Sequence, residues 1–141
     1  MYVLDTNVLS EIMKETPDAS VAAWLQAERP DAMFTTAICK TEILYGVRRL
    51  PDSRRSYRLS AAAEAMFSES FAGRILAFDS AAASIYADVR LARERAGVPV
   101  TREDGMIAAI ARSAGASIVT RDEQGFAGCG VPVINPWRQM R

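Results

Sequence analysis

The chain opens on Tyr2-Val3-Leu4-Asp5-Thr6-Asn7-Val8-Leu9, where an apolar, β-prone run meets a carboxylate and then a new hydrophobic pattern. Apolar residues from Val8 to Met13 follow a helical period, so the sequence predicts a short strand, a turn at Asp5 and a helix. In open α/β sheets, ligands bind beyond the carboxyl ends of the strands. Asp5 therefore holds a position typical of a functional carboxylate, although an aspartate there also suits a helix cap.

The rest of the chain repeats this alternation of short strands and helices. One helix is predicted from Ala37 to about Arg49 and a long one from about Arg54 to Phe71. Short apolar strands separated by helices are typical of a parallel sheet. We therefore predict a single α/β domain over residues 1–141, with three α/β/α layers and a mostly parallel central sheet. Further strands are predicted at 33–35, 75–78, 116–119 and 131–134, the last at a sheet edge because it contains Pro132.

The composition of the 141 residues narrows the possible chemistry. There is no histidine, which excludes histidine acid–base catalysis, Ser-His-Asp triads and histidine-ligated zinc. Two cysteines without a C-x-x-C spacing indicate neither a zinc site nor a disulfide framework, and we expect a reducing, cytoplasmic setting. Acidic and basic residues balance at 17 each, and no apolar run is long enough to span a bilayer. Any catalysis must therefore depend on carboxylates, hydroxyls, arginines or a metal.

Three further acidic residues hold comparable positions. Glu42 lies in the helix after the second predicted strand, Asp104 opens a helix, and Asp122 follows the fourth strand. Taken singly, Asp104 is explained as a helix cap and Asp122 as a turn residue. Glu42 shares a helix face with Ile38 and Tyr45, which we expect to be buried. A carboxylate there needs a partner, either a cation or an arginine.

The motifs around these acids occur in the order found in a known family. Four stretches resemble successive motifs of PIN-domain toxins of the VapC type: Val3–Ser10, Thr41–Val47, Asp104–Ala109 and Thr120–Asp122. Two others, Phe71–Asp79 and Asn135–Trp137, are similar to segments of the FitB-like branch of that family. The resemblance covers nearly the whole chain, and no departure falls on the four acidic positions.

This resemblance implies an endoribonuclease that depends on Mg²⁺ or Mn²⁺. It implies a parallel sheet flanked by helices, with Asp5, Glu42, Asp104 and Asp122 gathered at the carboxyl edge as one divalent-cation site. The three aspartates would hold the metal directly or through water. Glu42 would be a further ligand, or would orient the attacking water.

Elementary electrostatics agrees with a cation at such a site. Four neighbouring carboxylates repel one another, which raises some of their pKa values. A hard divalent cation removes that conflict, prefers oxygen ligands and makes water nucleophilic near neutral pH. We expect the hydroxyls of Thr6 and Thr120 to hydrogen-bond these carboxylates, although both residues also suit strand ends.

The resemblance also implies the partners of the protein. It implies the toxin of a type II toxin–antitoxin pair, blocked by a small antitoxin and bound to operator DNA only through that antitoxin. It implies a homodimer with an RNA substrate. The sequence itself supports a dimer weakly, since the apolar helix from Ala61 to Phe71 could form an interface or part of the core.

Basic side chains must hold the RNA backbone. The densest group, which we expect to follow the phosphates with Tyr57 as a stacking aromatic, is Arg48, Arg49, Arg54, Arg55 and Arg58. A second, weaker group is Arg90, Arg93 and Arg95. The alternative for both groups is a solvated helix surface.

Two other functions remain open from the sequence. A phosphatase of the haloacid-dehalogenase type also places an aspartate after its first strand, but it needs a second aspartate where this chain has Asn7. A covalent phosphate on Asp5 would indicate that chemistry. The other alternative is a PIN fold that docks RNA or a partner without cutting, against which the intact set of four acids argues.

Overall fold

A five-stranded, all-parallel sheet forms the centre of the protein. The computed structural model describes residues 1–138. The strands are β1 (Tyr2–Leu4), β2 (Met33–Thr36), β3 (Ile75–Leu76), β4 (Ser117–Val119) and β5 (Val133–Ile134). Their order across the sheet is β3-β2-β1-β4-β5, so the first strand lies in the middle.

Within residues 1–138, seven α-helices connect and flank these strands. They are α1 (Thr6–Ile12), α2 (Ala19–Ala27), α3 (Ala37–Arg48), α4 (Arg54–Ala65), α5 (Ser80–Arg95), α6 (Arg102–Ser113) and α7 (Glu123–Phe126). In this part of the chain, none of the helices is both long and apolar enough to cross a bilayer.

The pairing of β1 on both sides decides where the chain's polar turns meet. Val3 of β1 pairs with Phe34 of β2, and Leu4 pairs with Val119 of β4. The ladder continues one residue further, because the backbone N–H of Asp5 donates to the carbonyl of Val119 at 3.0 Å. Parallel strands end at the same edge of the sheet. The residues that follow β1, β2 and β4 are therefore brought to one edge.

The predicted fold class is confirmed, and the element boundaries differ in part. The strand near Pro132 lies at a sheet edge, as its proline indicated. The predicted helix from Arg54 to Phe71 is divided, because α4 ends at Ala65 and a π-helical turn, Met66–Ser70, follows. Its apolar side chains Met66, Phe67 and Phe71 are buried in the core of this chain. The apolar side of this segment thus serves as core.

The predicted buried face of α3 is wrong. Cys39 and Ile43 are the buried residues of this helix, whereas Tyr45 is 65% exposed. Helix α3 packs between α1 and α4, and this packing covers the Cys39 side of the helix. Glu42 and Tyr45 lie outside the covered side of the helix: Tyr45 is exposed and Glu42 is half-buried.

Candidate metal centre

Asp5 is the most enclosed carboxylate at the carboxyl edge. Only 5% of the residue is exposed. Its Oδ1 accepts a hydrogen bond from the backbone N–H of Thr6 at 2.8 Å, and its Oδ2 accepts one from the hydroxyl of Thr120 at 2.8 Å. Burial raises the pKa of Asp5, and the nearby carboxylates of Glu42 and Asp122 raise it further, while the two hydrogen bonds lower it. Asp5 is therefore held rigidly in a place where its charge is costly.

Asn7 is a site residue that the sequence reasoning did not single out as a ligand or support. Its side-chain amide donates to Asp5 Oδ2 at 3.3 Å and to the Thr120 hydroxyl at 3.0 Å. Its carbonyl oxygen accepts from the backbone N–H of Arg121 at 3.1 Å. Asn7 thus ties the turn after β1 to the turn after β4. Its position two residues beyond Asp5, in the first turn of α1, is the signal that could have indicated this role.

Glu42 reaches the same edge from α3. The hydroxyl of Thr6 donates to Glu42 Oε1 at 2.9 Å. The hydrogen-bond partner of Glu42 within the chain is therefore a hydroxyl group. From the sequence, we expected either a cation or an arginine. Burial raises the pKa of Glu42, and the carboxylates of Asp104 and Glu103 raise it further. Glu42 thus lies within electrostatic reach of the third predicted acid.

Asp104 is the third residue of α6, whose N-cap is Thr101. The helix begins three residues earlier than the sequence indicated, so Asp104 lies within the first turn and is not the cap. The pKa of Asp104 is raised to about 6, first by burial and then by the negative charges of Asp5 and Asp122. A hydrogen bond with Thr101 lowers it in part. A cation close to Asp104 would therefore stabilise the ionised form of this carboxyl group.

Asp122 completes the set from the turn after β4. It is exposed, and it caps α7 because its Oδ1 accepts from the backbone N–H of Gly125 at 3.0 Å. Its own backbone N–H donates to the hydroxyl of Thr120 at 3.1 Å. The Thr120 hydroxyl, which is fully buried, therefore joins Asp5 to the backbone of Asp122.

A small space at Gly125 lies between two of the acids. A Cβ atom added to this glycine would lie 2.5 Å from Asp122 Oδ2 and 3.0 Å from Asp104 Oδ2. Carbon does not approach a carboxylate oxygen so closely without displacing it. Gly125 therefore leaves room for two carboxylate oxygens to face the same point, although the residues lie 18 positions apart in the chain.

The donor chemistry of this edge fits a hard divalent cation. Carboxylate oxygens are preferred ligands of Mg²⁺ and Mn²⁺, and the mutual repulsion of these acids is relieved by positive charge. Over residues 1–138, no three acidic or thiol side chains stand at the spacing of a complete ligand set. A cation held here would fill its remaining positions with water, as Mg²⁺ usually does.

A cleft of about 340 Å³ leads away from this edge between α1, α3 and α4. Thr6 and Glu42 line this cleft, and so do the basic side chains of Lys14, Arg55 and Arg58. Two of the five predicted RNA-binding arginines thus line the cleft, together with a lysine that the sequence did not single out. The other three, Arg48, Arg49 and Arg54, are exposed outside the lining of this cleft.

The second basic group does not form a common surface. Arg93 is 5% exposed, and its guanidinium is directed to backbone carbonyl groups. Arg90 is exposed and pairs with Glu94 at 3.1 Å. Only Arg90 and Arg95 are open to solvent, so the expectation of a basic group with Arg93 is wrong. The period of α5 places Arg93 on the side of the helix that faces the protein.

Comparison with known proteins gives full-length relatives. VapC ribonuclease Y4jK of Sinorhizobium fredii is 36% identical to this chain, over 97% of this chain and 98% of the relative. Toxin FitB of Neisseria gonorrhoeae is 36% identical, over 97% and 99% respectively. A solved structure of FitAB bound to a DNA fragment has a TM-score of 0.93 and 35% identity, and the match covers 100% of this chain and 99% of that one.

The parallel sheet and its acidic edge define a PIN domain, and the family model described as PIN domain matches residues 2–128. This match extends over most of the chain. The protein belongs to the VapC family of PIN-domain toxins, in the branch that includes FitB. The resemblance drawn from the sequence motifs is thereby confirmed, and the phosphatase alternative is set aside.

Proposed function

We propose that this protein is an endoribonuclease that depends on Mg²⁺ or Mn²⁺ and acts as the toxin of a toxin–antitoxin pair. The observation that carries the proposal is that carboxylates from four separate motifs, Asp5, Glu42, Asp104 and Asp122, lie at one edge of the sheet. Thr6 contacts both Asp5 and Glu42, Thr120 joins Asp5 to Asp122, and Gly125 faces Asp104 and Asp122. A relative with 36% identity is named a ribonuclease. Carboxylates that repel one another at a cleft are typical of a functional site, and a bound cation relieves their repulsion.

Each acid has a distinct part in the proposed site. Asp5, Asp104 and Asp122 would hold the cation, directly or through water, and Glu42 would be a further ligand or would orient the attacking water. A bound divalent cation makes water nucleophilic near neutral pH and screens the charge of the phosphodiester. The hydroxyls of Thr6 and Thr120 keep Glu42 and Asp5 in place by donating to them.

The RNA backbone would follow the cleft towards Glu42. Arg55, Arg58 and Lys14 line it, and their positive charges suit phosphate groups. Arg58 also lies 3.5 Å from the exposed Glu15, a pair that a phosphate can replace at little cost because exposed ion pairs are weak. Arg48, Arg49 and Arg54 are exposed and would contribute to a longer RNA path.

The proposed partners follow from the family. The solved structure that is 35% identical to this chain is described as FitAB bound to a DNA fragment. We therefore propose a cognate antitoxin that binds this chain and covers the acidic edge, with operator DNA reached only through that antitoxin. We also propose that the protein forms a homodimer, as its resemblance to VapC-type toxins implies.

The test is a metal titration with an RNA cleavage assay. The wild-type protein should cleave RNA only with Mg²⁺ or Mn²⁺. Water would attack the phosphorus and the ribose 3′-oxygen would leave, so the products should carry a 5′-phosphate and a 3′-hydroxyl. Asp5→Asn should abolish cleavage. The matched control is Asp88→Asn, an exposed acid on α5, which should leave cleavage unchanged.

Two outcomes would contradict the proposal. Products with a 2′,3′-cyclic phosphate would mean that the ribose hydroxyl is the nucleophile. Metal binding without cleavage of any RNA offered, including total cellular RNA, would favour the non-catalytic binding module.

A further inference from the structure

Arg93 is a buried cation that the proposed chemistry does not use. It lies near the end of α5, and only 5% of the residue is exposed. Among the residues that the structure describes, its guanidinium takes part in no ion pair. Burying an arginine without a carboxylate is costly, and arginine is rarely found so enclosed. The cost of burying Arg93 must therefore be offset by the contacts that its guanidinium makes.

Two nitrogens of the guanidinium donate hydrogen bonds to backbone groups. Its Nε donates to the carbonyl of Val98 at 2.6 Å. Its Nη1 donates to the carbonyls of Gly125 at 3.1 Å and Ala127 at 2.8 Å, and contacts the sulfur of Cys129 at 3.6 Å. One planar group thus joins two segments that are far apart in the chain.

Both segments lead directly to acids of the metal centre. Val98 belongs to the connection between α5 and α6, and α6 carries Asp104 in its first turn. Gly125 lies in α7, where its N–H holds Asp122 Oδ1 and its Cα faces the oxygens of both aspartates. Nearby, burial raises the pKa of Cys129, Arg93 lowers it and Asp104 raises it, so both charges reach the same thiol. Arg93 therefore lies behind this half of the site.

We propose that Arg93 is a positioning residue of the metal centre, which fastens the segments bearing Asp104 and Asp122 to each other so that Gly125 keeps the gap between their carboxylates. This inference rests on the proposed function, since it assumes that these carboxylates bind a cation. The geometry requires the guanidinium itself. Its donors form a fixed planar fork that reaches three carbonyls, whereas the ammonium of lysine is a compact point charge on a flexible stem.

The test is the affinity of the metal-free protein for Mn²⁺, measured by the loss of the free Mn²⁺ signal in electron paramagnetic resonance. Arg93→Lys keeps the charge and should weaken Mn²⁺ binding by about tenfold, the usual effect of losing a group that orients metal ligands. Arg90→Lys, one turn away on the exposed face of α5, should bind Mn²⁺ as the wild type does.

A second control separates positioning from general stability. Val89→Ala removes core volume from the same helix, because Val89 is 1% exposed, and its apolar side chain donates no hydrogen bond to the segments that carry Asp104 and Asp122. It should lower the melting temperature but leave Mn²⁺ affinity unchanged. Equal Mn²⁺ affinity of wild type and Arg93→Lys would overturn the inference, and so would a loss in Val89→Ala as large as that in Arg93→Lys.

Two further results keep the inference separable from the proposed function. If the wild type binds no Mn²⁺, the proposed function itself fails. If Arg93→Lys does not fold, amide hydrogen exchange of the metal-free wild type decides: residues 122–129 should exchange slowly, because they are already fastened without a cation. Fast exchange of that segment beside a protected β1 would overturn the inference.

Discussion

At the scale of single residues, the site depends on one position that has no side chain. Gly125 does not need its conformational freedom, since its φ lies outside the left-handed region; it needs its missing Cβ. The space it leaves is bounded by oxygens of Asp104 and Asp122. The arrangement of these two carboxylates therefore requires a glycine at position 125.

Gly125→Ala should weaken Mn²⁺ binding by about tenfold or more, because the methyl group displaces two carboxylate oxygens. The measurement is Mn²⁺ affinity by calorimetry. Gly46→Ala is the matched control: it lies inside α3 with open space around it, and alanine there should stabilise the helix by about 1 kcal/mol without changing Mn²⁺ affinity. Unchanged affinity in Gly125→Ala would show that the gap is not used by a cation.

At the scale of elements, α4 presents two different surfaces. Arg55 and Arg58 line the cleft that Glu42 also lines, whereas Arg54 is exposed outside that lining. The helix is fixed at its start by a capping box between Ser53 and Ser56. Neighbouring arginines on one helix therefore differ in their access to the proposed RNA path.

Replacing Arg55 and Arg58 together by glutamine should weaken binding of single-stranded RNA and flatten its salt dependence. The slope of log K against log salt should fall by about 0.7 for each phosphate group that the protein no longer neutralises. Binding is measured by fluorescence anisotropy on the Asp5→Asn background, so that RNA is not cut. The control pair is Arg90→Gln with Arg95→Gln, two exposed arginines of α5 outside the cleft lining; a slope that falls equally in both pairs would assign RNA binding to general positive charge.

The sequence predicted the elements well because local patterns determine them. The run before Asp5 is β-prone and apolar, and its Val3 and Leu4 are buried. The motifs placed Asp5 and Asp122 after strands, Asp104 at a helix start and Glu42 within a helix. Among the residues that support the site, the hydroxyls of Thr6 and Thr120 were expected from the sequence, whereas three others were not. Asn7, Gly125 and Arg93 act through partners more than 30 positions away or through free space, which no local pattern encodes. The same limit explains Tyr45, whose exposure depends on how α3 packs between its neighbours.

At the scale of the whole molecule, the acidic edge opposes folding. The pKa of Asp104 is raised to about 6 from the usual 3.8, mainly by burial. The folded state therefore binds this proton more tightly than the unfolded state does. Stability falls as the pH rises from about 3.8, and the loss is complete above about 6. At neutral pH, the metal-free protein is therefore destabilised by the full effect of ionising Asp104.

Asp104→Asn should therefore raise the free energy of unfolding at pH 7 in the presence of EDTA. The gain should be on the order of 1 to 2 kcal/mol, since solvent screens a carboxyl that is only half-buried. Urea unfolding at pH 7 and pH 4 provides the measurement, and the gain should shrink at pH 4, where the wild-type carboxyl is protonated. Asp88→Asn serves as the exposed control. A variant less stable than wild type at pH 7 would contradict this account of the cluster.

The central place of β1 also has a consequence for synthesis on the ribosome. The first strand to be translated finds its β4 neighbour only after Val119 has been made, and the Asp5 and Asp122 turns are joined through Thr120. A growing or prematurely terminated chain that stops before β4 holds three of the four acids but not the scaffold that orients them. A harmful enzyme built this way would stay harmless in its unfinished copies.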